Sequence, residues 1–137
     1  MTTTNMTPHQ EDDFDRGVKN RRAVLGDAWV DKSAAGKNAF NADFLDLISR
    51  YAWGEIWTRP GLDRRTRSFL TIATLIGAGH ENELAMHVRA ALDGPPESRL
   101  TPDDIKEVIT MAAIYCGVPA AIDSFRVTSE VFKEMNI

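Results

Sequence analysis

The chain has 137 residues, 43% of them hydrophobic and 26% charged, with a net charge of −4. That is the size of one domain and the composition of an ordinary globular protein, and the acidic balance argues against a nucleic-acid partner, whose phosphates call for positive charge. No apolar run approaches the ~20 residues a bilayer requires, so no membrane partner is expected.

Residues 1–10, Thr-rich with Pro8, read as a disordered N-terminal arm, and residues 11–137 as a single all-helical domain. The polar first thirteen residues lack the apolar segment of a signal peptide. One cysteine, Cys116, rules out an internal disulfide and a Cys-x-x-Cys pair. A cytoplasmic protein is expected. A helix is predicted from about Glu11 to Ala28, where Phe14, Val18, Arg22 and Leu25 recur at helical spacing. Asp31 to Asn38 reads as a loop. A second helix, Ala42 to Thr58, carries a broad apolar stripe that includes Phe44, Leu47, Tyr51 and Trp57. Glu55 shares the side of Tyr51 and Ala52, so burial beside an arginine is expected for it. Trp53 and Trp57 read as core or subunit-contact residues. Arg59-Pro60-Gly61 ends this helix.

Next comes the stretch around which the pattern organises the chain, Asp63 to Gly79. Asp63 suits the N-cap, Gly77 and Gly79 the C-terminal end. From Phe69 to Ile76 no residue is charged, which predicts a helix buried on nearly every side. A further helix begins near His80 and stops at Asp93-Gly94-Pro95-Pro96. Thr101-Pro102-Asp103-Asp104 is a strong helix start; Ile105, Val108, Ile109, Ala112 and Tyr115 form its expected inner side. Gly117-Val118-Pro119 breaks it. The last helix, Pro119 to Met135, is expected to bury Ala121, Phe125, Thr128, Phe132 and Met135. No period-2 strand is visible. The fold class is all-α, with about six helices.

His80, Glu83 and His87 fall at i, i+3 and i+7, on one helix face. A carboxylate at i−4 can orient the His87 ring and raise its basicity. Against this stands the plain reading of a structural Glu83–His87 pair, and of His80 as a capping or surface residue. The spacing is not His-Glu-x-x-His and no cysteine cluster exists, so no metal is expected. Arg59, Arg64, Arg65 and Arg67 gather where one helix ends and the next begins. Guanidinium groups receive carboxylates in bidentate fashion, and Arg67 lies nearest the apolar segment.

The run Tyr51-Ala-Trp-Gly-Glu-Ile-Trp-Thr-Arg-Pro-Gly-Leu-Asp-Arg-Arg-Thr-Arg-Ser68 resembles the hallmark stretch of the carboxymuconolactone decarboxylase family. Glu83-Leu-Ala-Met-His-Val-Arg-Ala-Ala-Leu92, Ile105-Lys-Glu-Val, Tyr115-Cys-Gly-Val-Pro-Ala-Ala121 and Arg22-Ala-Val-Leu-Gly-Asp27 are similar to it as well. The resemblance spans about residues 14 to 135 and implies an alkylhydroperoxidase-like fold and a homo-oligomer, trimer or hexamer. It implies decarboxylation of 4-carboxymuconolactone, a small dicarboxylate lactone, in protocatechuate breakdown, with no cofactor. In that reading His87, Glu83 and His80 are the catalytic residues, and Arg67, Arg126 and Arg59 bind the substrate. Relatives often carry Arg at the position of His80 and His at that of Arg126, so the proton donor is assigned to neither by analogy; His87 is the expected acid and Glu83 its orienter. Gly94 to Leu100 also looks longer than usual. Redox relatives of the fold place Cys-x-x-Cys where this chain has His80 and Glu83, so a redox role is disfavoured. A non-catalytic helical oligomer that binds a small acid is the remaining alternative.

Overall fold

The computed structural model describes residues 6–137. The reading of a disordered arm lies outside the described residues for positions 1–5. Residues 8–10 are helical, because a helix is capped here by Thr7. Its side chain accepts from the Gln10 N–H at 3.3 Å, and the Gln10 Oε1 accepts from the Thr7 N–H at 2.9 Å. This reciprocal cap, with Pro8 in the first turn, satisfies amides that would otherwise lack partners. All regular structure among the described residues is helical, and these residues form two compact units, one ending at Leu62 and the other running from Asp63 to Ile137.

In the N-terminal unit, α1 is Pro8–Leu25, α2 is Asp27–Ala34 and α3 is Ala42–Ile48. Helix α2 replaces much of the expected loop and raises the count from six to seven. Gly26, at φ 87°, turns the chain sharply between α1 and α2. Arg22 then pairs with Asp27 at 3.1 Å and Asp31 at 2.7 Å, tying the new helix to the old one. Helix α3 continues directly into a π-helix, Ser49–Ile56. The Trp57 N–H accordingly donates to the Ala52 carbonyl, five residues back, at 2.9 Å. The wider turn changes which residues share a face. Trp53 and Gly54 point inward; Tyr51 and Glu55 are exposed. Burial of Glu55 is therefore not observed. Trp53 stacks on Trp57 with ring centroids 5.0 Å apart.

Two glycines let α1 lie directly on the π-helix. A Cβ on Gly17 would stand 1.8 Å from the Ser49 carbonyl oxygen, and one on Gly54 would stand 2.4 Å from that of Asp13. The Asn20 side-chain amide donates to the Trp53 carbonyl at 3.2 Å across the same contact.

In the C-terminal unit, α4 is Arg64–Ala78, α5 is Glu81–Asp93, α6 is Pro102–Cys116 and α7 is Val118–Glu134. The expected caps are present. Asp63 accepts from the Thr66 N–H at 2.7 Å, and Thr101 accepts from the Asp104 N–H at 3.1 Å. Gly79 closes α4 at φ 75°. The core joins Ile72 and Ile76 of α4, Leu84 and Val88 of α5, Ile105 and Ile109 of α6, and Val127 and Val131 of α7. Leu100 is fully buried, and its N–H donates to the Ala91 carbonyl at 2.9 Å, which anchors the end of the 94–100 loop.

Helix α4 is not buried on every side. Ile72 and Ile76 face the core, while Leu70, Ala73 and Thr74 are exposed, because the helices of this unit cover one side of it. Tyr115 is 79% exposed and Phe125 faces outward; Ser124 joins Thr128 on the inner side of α7. The apolar residues Met111, Ile114, Tyr115, Val118, Ile122 and Phe125 are all exposed around the α6–α7 corner. Among the described residues no helix is long and apolar enough to cross a membrane.

Candidate active site

Helix α5 sets the position of two of the expected catalytic residues. Leu84, Val88, Ala91 and Leu92 form its inner stripe. His87 flanks that stripe and is half-buried; Glu83, one turn earlier, is exposed. Burial pushes the His87 pKa down to about 4, and the Glu83 charge pulls in the opposite direction without overcoming it. At neutral pH the ring is therefore uncharged, with one nitrogen to donate and one to accept. Glu83 stands one helical turn before His87 and acts on it through its charge. The raised basicity expected of the pair is not observed, because desolvation outweighs the carboxylate.

Helix α4 supplies Arg67. It is half-buried and its Nε is removed from solvent. Its neighbours in sequence differ. Arg65 donates to Asp104 at 2.7 Å and lies over the Phe69 ring at 4.9 Å, so its charge is committed to the start of α6. Arg64 is exposed. Arg59 is exposed as well and belongs to the N-terminal unit.

His80 and Arg126 lie at a different place. His80 is the exposed N-cap residue of α5 and makes no side-chain cap. It lines a cavity of about 270 Å³ with Leu84, Glu81, Asp123 and Ser124; neither Glu83 nor His87 lines it. Arg126 donates to Glu81 at 3.0 Å and stands 4.0 Å from Glu130. The hydrogen bond to Glu81 raises its pKa, so its charge is already answered. The face of His80, Glu83 and His87 expected from their spacing is thus divided. Position 80 precedes the helix proper, and its backbone is not helical, with ψ at 79°. Glu81 and Asp123 both line the cavity beside His80, and Glu81 is paired with Arg126. Neither was a candidate from the sequence alone. Glu81 carries a usable signal, being an acid in the first turn of a helix; Asp123 carries none.

Among the described residues no group of three His, Cys, Asp or Glu side chains could hold a metal ion. Cys116, the single cysteine, is exposed.

Residues 42–130 match the carboxymuconolactone decarboxylase family. The chain is 43% identical to a 4-carboxymuconolactone decarboxylase of Acinetobacter baylyi, over 94% of this chain and 93% of that one. It is 38% identical to a nitrosuccinic acid decarboxylase of Metarhizium robertsii, over 89% and 82%. A 4-carboxymuconolactone decarboxylase of Pseudomonas putida is 48% identical over a shorter stretch, 31% of this chain and 88% of that one. A chain whose regular structure among the described residues is all helical, with a half-buried histidine one turn after a carboxylate, and which is similar over nearly its full length to named decarboxylases, belongs to the carboxymuconolactone decarboxylase family and is a carboxy-lyase.

Proposed function

We propose that the protein decarboxylates 4-carboxymuconolactone to 3-oxoadipate enol-lactone, in the breakdown of protocatechuate. The observation that carries this reading is the half-buried His87 with Glu83 one turn before it, in a chain whose relatives are named for this reaction. The substrate chemistry is consistent with it. The carboxylate that leaves sits gamma to a lactone carbonyl, through a double bond. When its C–C bond breaks and CO₂ departs, the electron pair moves through that bond onto the carbonyl oxygen as a dienolate. Nitrosuccinic acid, named for the second relative, likewise carries an acceptor group in the molecule itself. Such substrates hold their own electron sink, so the reaction calls for no cofactor.

The protein must then supply charge and a proton. Arg67 receives the retained carboxylate. His87 starts neutral. A dianion bound beside it favours the charged ring, so His87 takes up a proton from solvent on binding. It gives that proton to the alpha carbon, forming the new C–H bond, and returns to the neutral state. Glu83 holds and partly balances the ring. One proton is consumed as two carboxylates become one. His80 and Arg126 take no part in this scheme, since His80 lines a cavity that His87 does not line and Glu81 holds Arg126. The exposed apolar corner of α6 and α7 is suited to contact between copies, which supports a homo-oligomer, trimer or hexamer. The reading places the protein in the cytoplasm.

The test is direct. Freshly generated carboxymuconolactone is incubated with the purified protein while CO₂ release and the ultraviolet spectrum are followed. His87→Ala should lower kcat about 10²-fold or more; Arg67→Gln should act mainly through KM. Wild-type turnover by His87→Ala with a native circular dichroism spectrum would remove His87 from the chemistry. Binding of the lactone without CO₂ release would overturn the substrate assignment, and faster turnover of nitrosuccinic acid would redirect it.

A further inference from the structure

The N-terminal unit contains a cavity of about 200 Å³ that the decarboxylase chemistry does not use. Most of its wall comes from α1 and α2, which precede the matched family region at residue 42. Val18, Val30, Leu45 and Trp53 make one side of it apolar. The polar side is cationic, and its charges are not equally satisfied. Lys37 holds the buried Asp46 at 2.6 Å. Arg22 is turned to Asp27 and Asp31. Among the described residues Arg21 has no such partner: its one hydrogen bond there goes to the Ser33 Oγ, at 2.9 Å, and no carboxylate pairs with it. Ser33 in turn donates to the Val30 carbonyl at 3.0 Å, so its hydrogen is spent.

A half-buried guanidinium beside a second arginine is costly to keep charged. Both burial and Arg22 depress the Arg21 pKa. Buried charge in proteins is ordinarily paired, and here the missing partner would be an anion. Guanidinium is also the side chain best matched to a carboxylate, through two parallel N–H donors. The neighbouring wall supplies aliphatic surface and one indole, enough to cover a small hydrocarbon body. Asp46, the one acid in the lining, is neutralised by Lys37 and does not oppose an anion.

We propose that this cavity is a second ligand site, separate from the decarboxylase centre, which binds a small organic monocarboxylate with an apolar body through Arg21. Such a ligand would place its carboxylate on the guanidinium and its body against Trp53 and Val30.

The experiment uses the full chain, with benzoate as the probe and benzamide as its neutral counterpart, followed by calorimetry and ligand-observed NMR. Benzoate should bind saturably, and benzamide about tenfold more weakly, as the loss of a charged hydrogen bond implies. Arg21→Met should weaken benzoate about tenfold or more and leave benzamide unchanged, whereas Arg21→Lys should recover part of the affinity. Arg67→Gln should leave benzoate binding at this site intact, which separates it from binding at the decarboxylase centre. Ser33→Ala, a smaller change, should weaken benzoate by a few-fold even if Arg21→Met fails to fold. No saturable benzoate binding up to about 10 mM, the weak limit of a useful site, would overturn the proposal. So would binding abolished by Arg67→Gln and indifferent to Arg21→Met and Ser33→Ala.

Discussion

The two units bury their helices by opposite means. The C-terminal unit does so with aliphatic side chains: Ile72, Val88, Ile105 and Ile109 have no exposed surface at all, and its ion pairs stay at the rim. The N-terminal unit has few such residues. It brings α1 against the π-helix through bare backbone at Gly17 and Gly54, and places Asn20, Asp46 and Ser49 inside. An aliphatic core tolerates a change of one methylene by small shifts of side chains. A backbone contact has nothing flexible to give. The difference also sorts the chemistry: the aliphatic unit creates a dry edge where a histidine loses its charge, and the polar unit encloses cations.

The largest effect should therefore come from the smallest change. Gly17→Ala puts a methyl group where the Ser49 carbonyl already stands, so α1 and the π-helix must separate. A loss of about 3 kcal/mol or more in urea unfolding is expected, at the upper end for overpacking. A loss under about 1 kcal/mol would mean that the close approach does not hold the unit together.

This contact also shows what a sequence can and cannot disclose. Capped starts at Asp63 and Thr101 and the stop at Gly79 are legible because each acts within one turn of its own helix. The apolar stripes of α5 and α6 are legible by period. The π-helix is not, because a 3.6-residue pattern and a wider turn differ by one residue per turn, and the surrounding packing decides between them. Gly17 reads as a weak point in α1 until Ser49, more than thirty positions away, is seen against it. At the candidate site, the placement of Glu83 one turn before His87 is a local matter and could be read. The commitment of Arg126 to Glu81 joins two helices and could not. Nor could the charge state of His87, which depends on how much of the ring other helices cover.

That charge state gives the second prediction. The His87 pKa lies near 4 in the folded chain, below its ordinary 6.5. Between these values the unfolded chain binds more protons than the folded one. Stability should therefore fall as pH is lowered from about 6.5 to about 4, and lose no more from this group below that. The full displacement corresponds to at most about 3 to 4 kcal/mol, and partial exposure of the ring reduces it. His87→Gln should flatten the profile in this window. An equally steep acid-side loss in the variant would assign that loss to other groups, the carboxylates first. The same comparison sharpens the mechanism. Proton uptake on binding a dianion, measured by calorimetry in two buffers of different ionisation enthalpy, should approach one proton per site in the wild type and vanish in His87→Gln.

The smallest effect concerns the rim. Arg65 and Asp104 join α4 to α6 at 2.7 Å, with 39% and 25% of their side chains exposed. The pair looks strong by distance, yet Asp104 owes its lowered pKa first to the Thr101 backbone N–H and only later to Arg65. The carboxylate is held by the cap of its own helix, and the arginine adds to a charge already placed. A double-mutant cycle of Arg65→Met and Asp104→Asn keeps the cap acceptor in every member and isolates the pair. The coupling should be under about 1 kcal/mol and should shrink further in 0.5 M salt, since exposed pairs are screened. By contrast Lys37–Asp46, whose Asp46 side chain is 4% exposed, should couple more strongly and lose less to salt, because its carboxylate is shielded from water and ions. Equal coupling and equal salt sensitivity for the two pairs would erase the distinction between a unit that keeps its charges outside and one that encloses them.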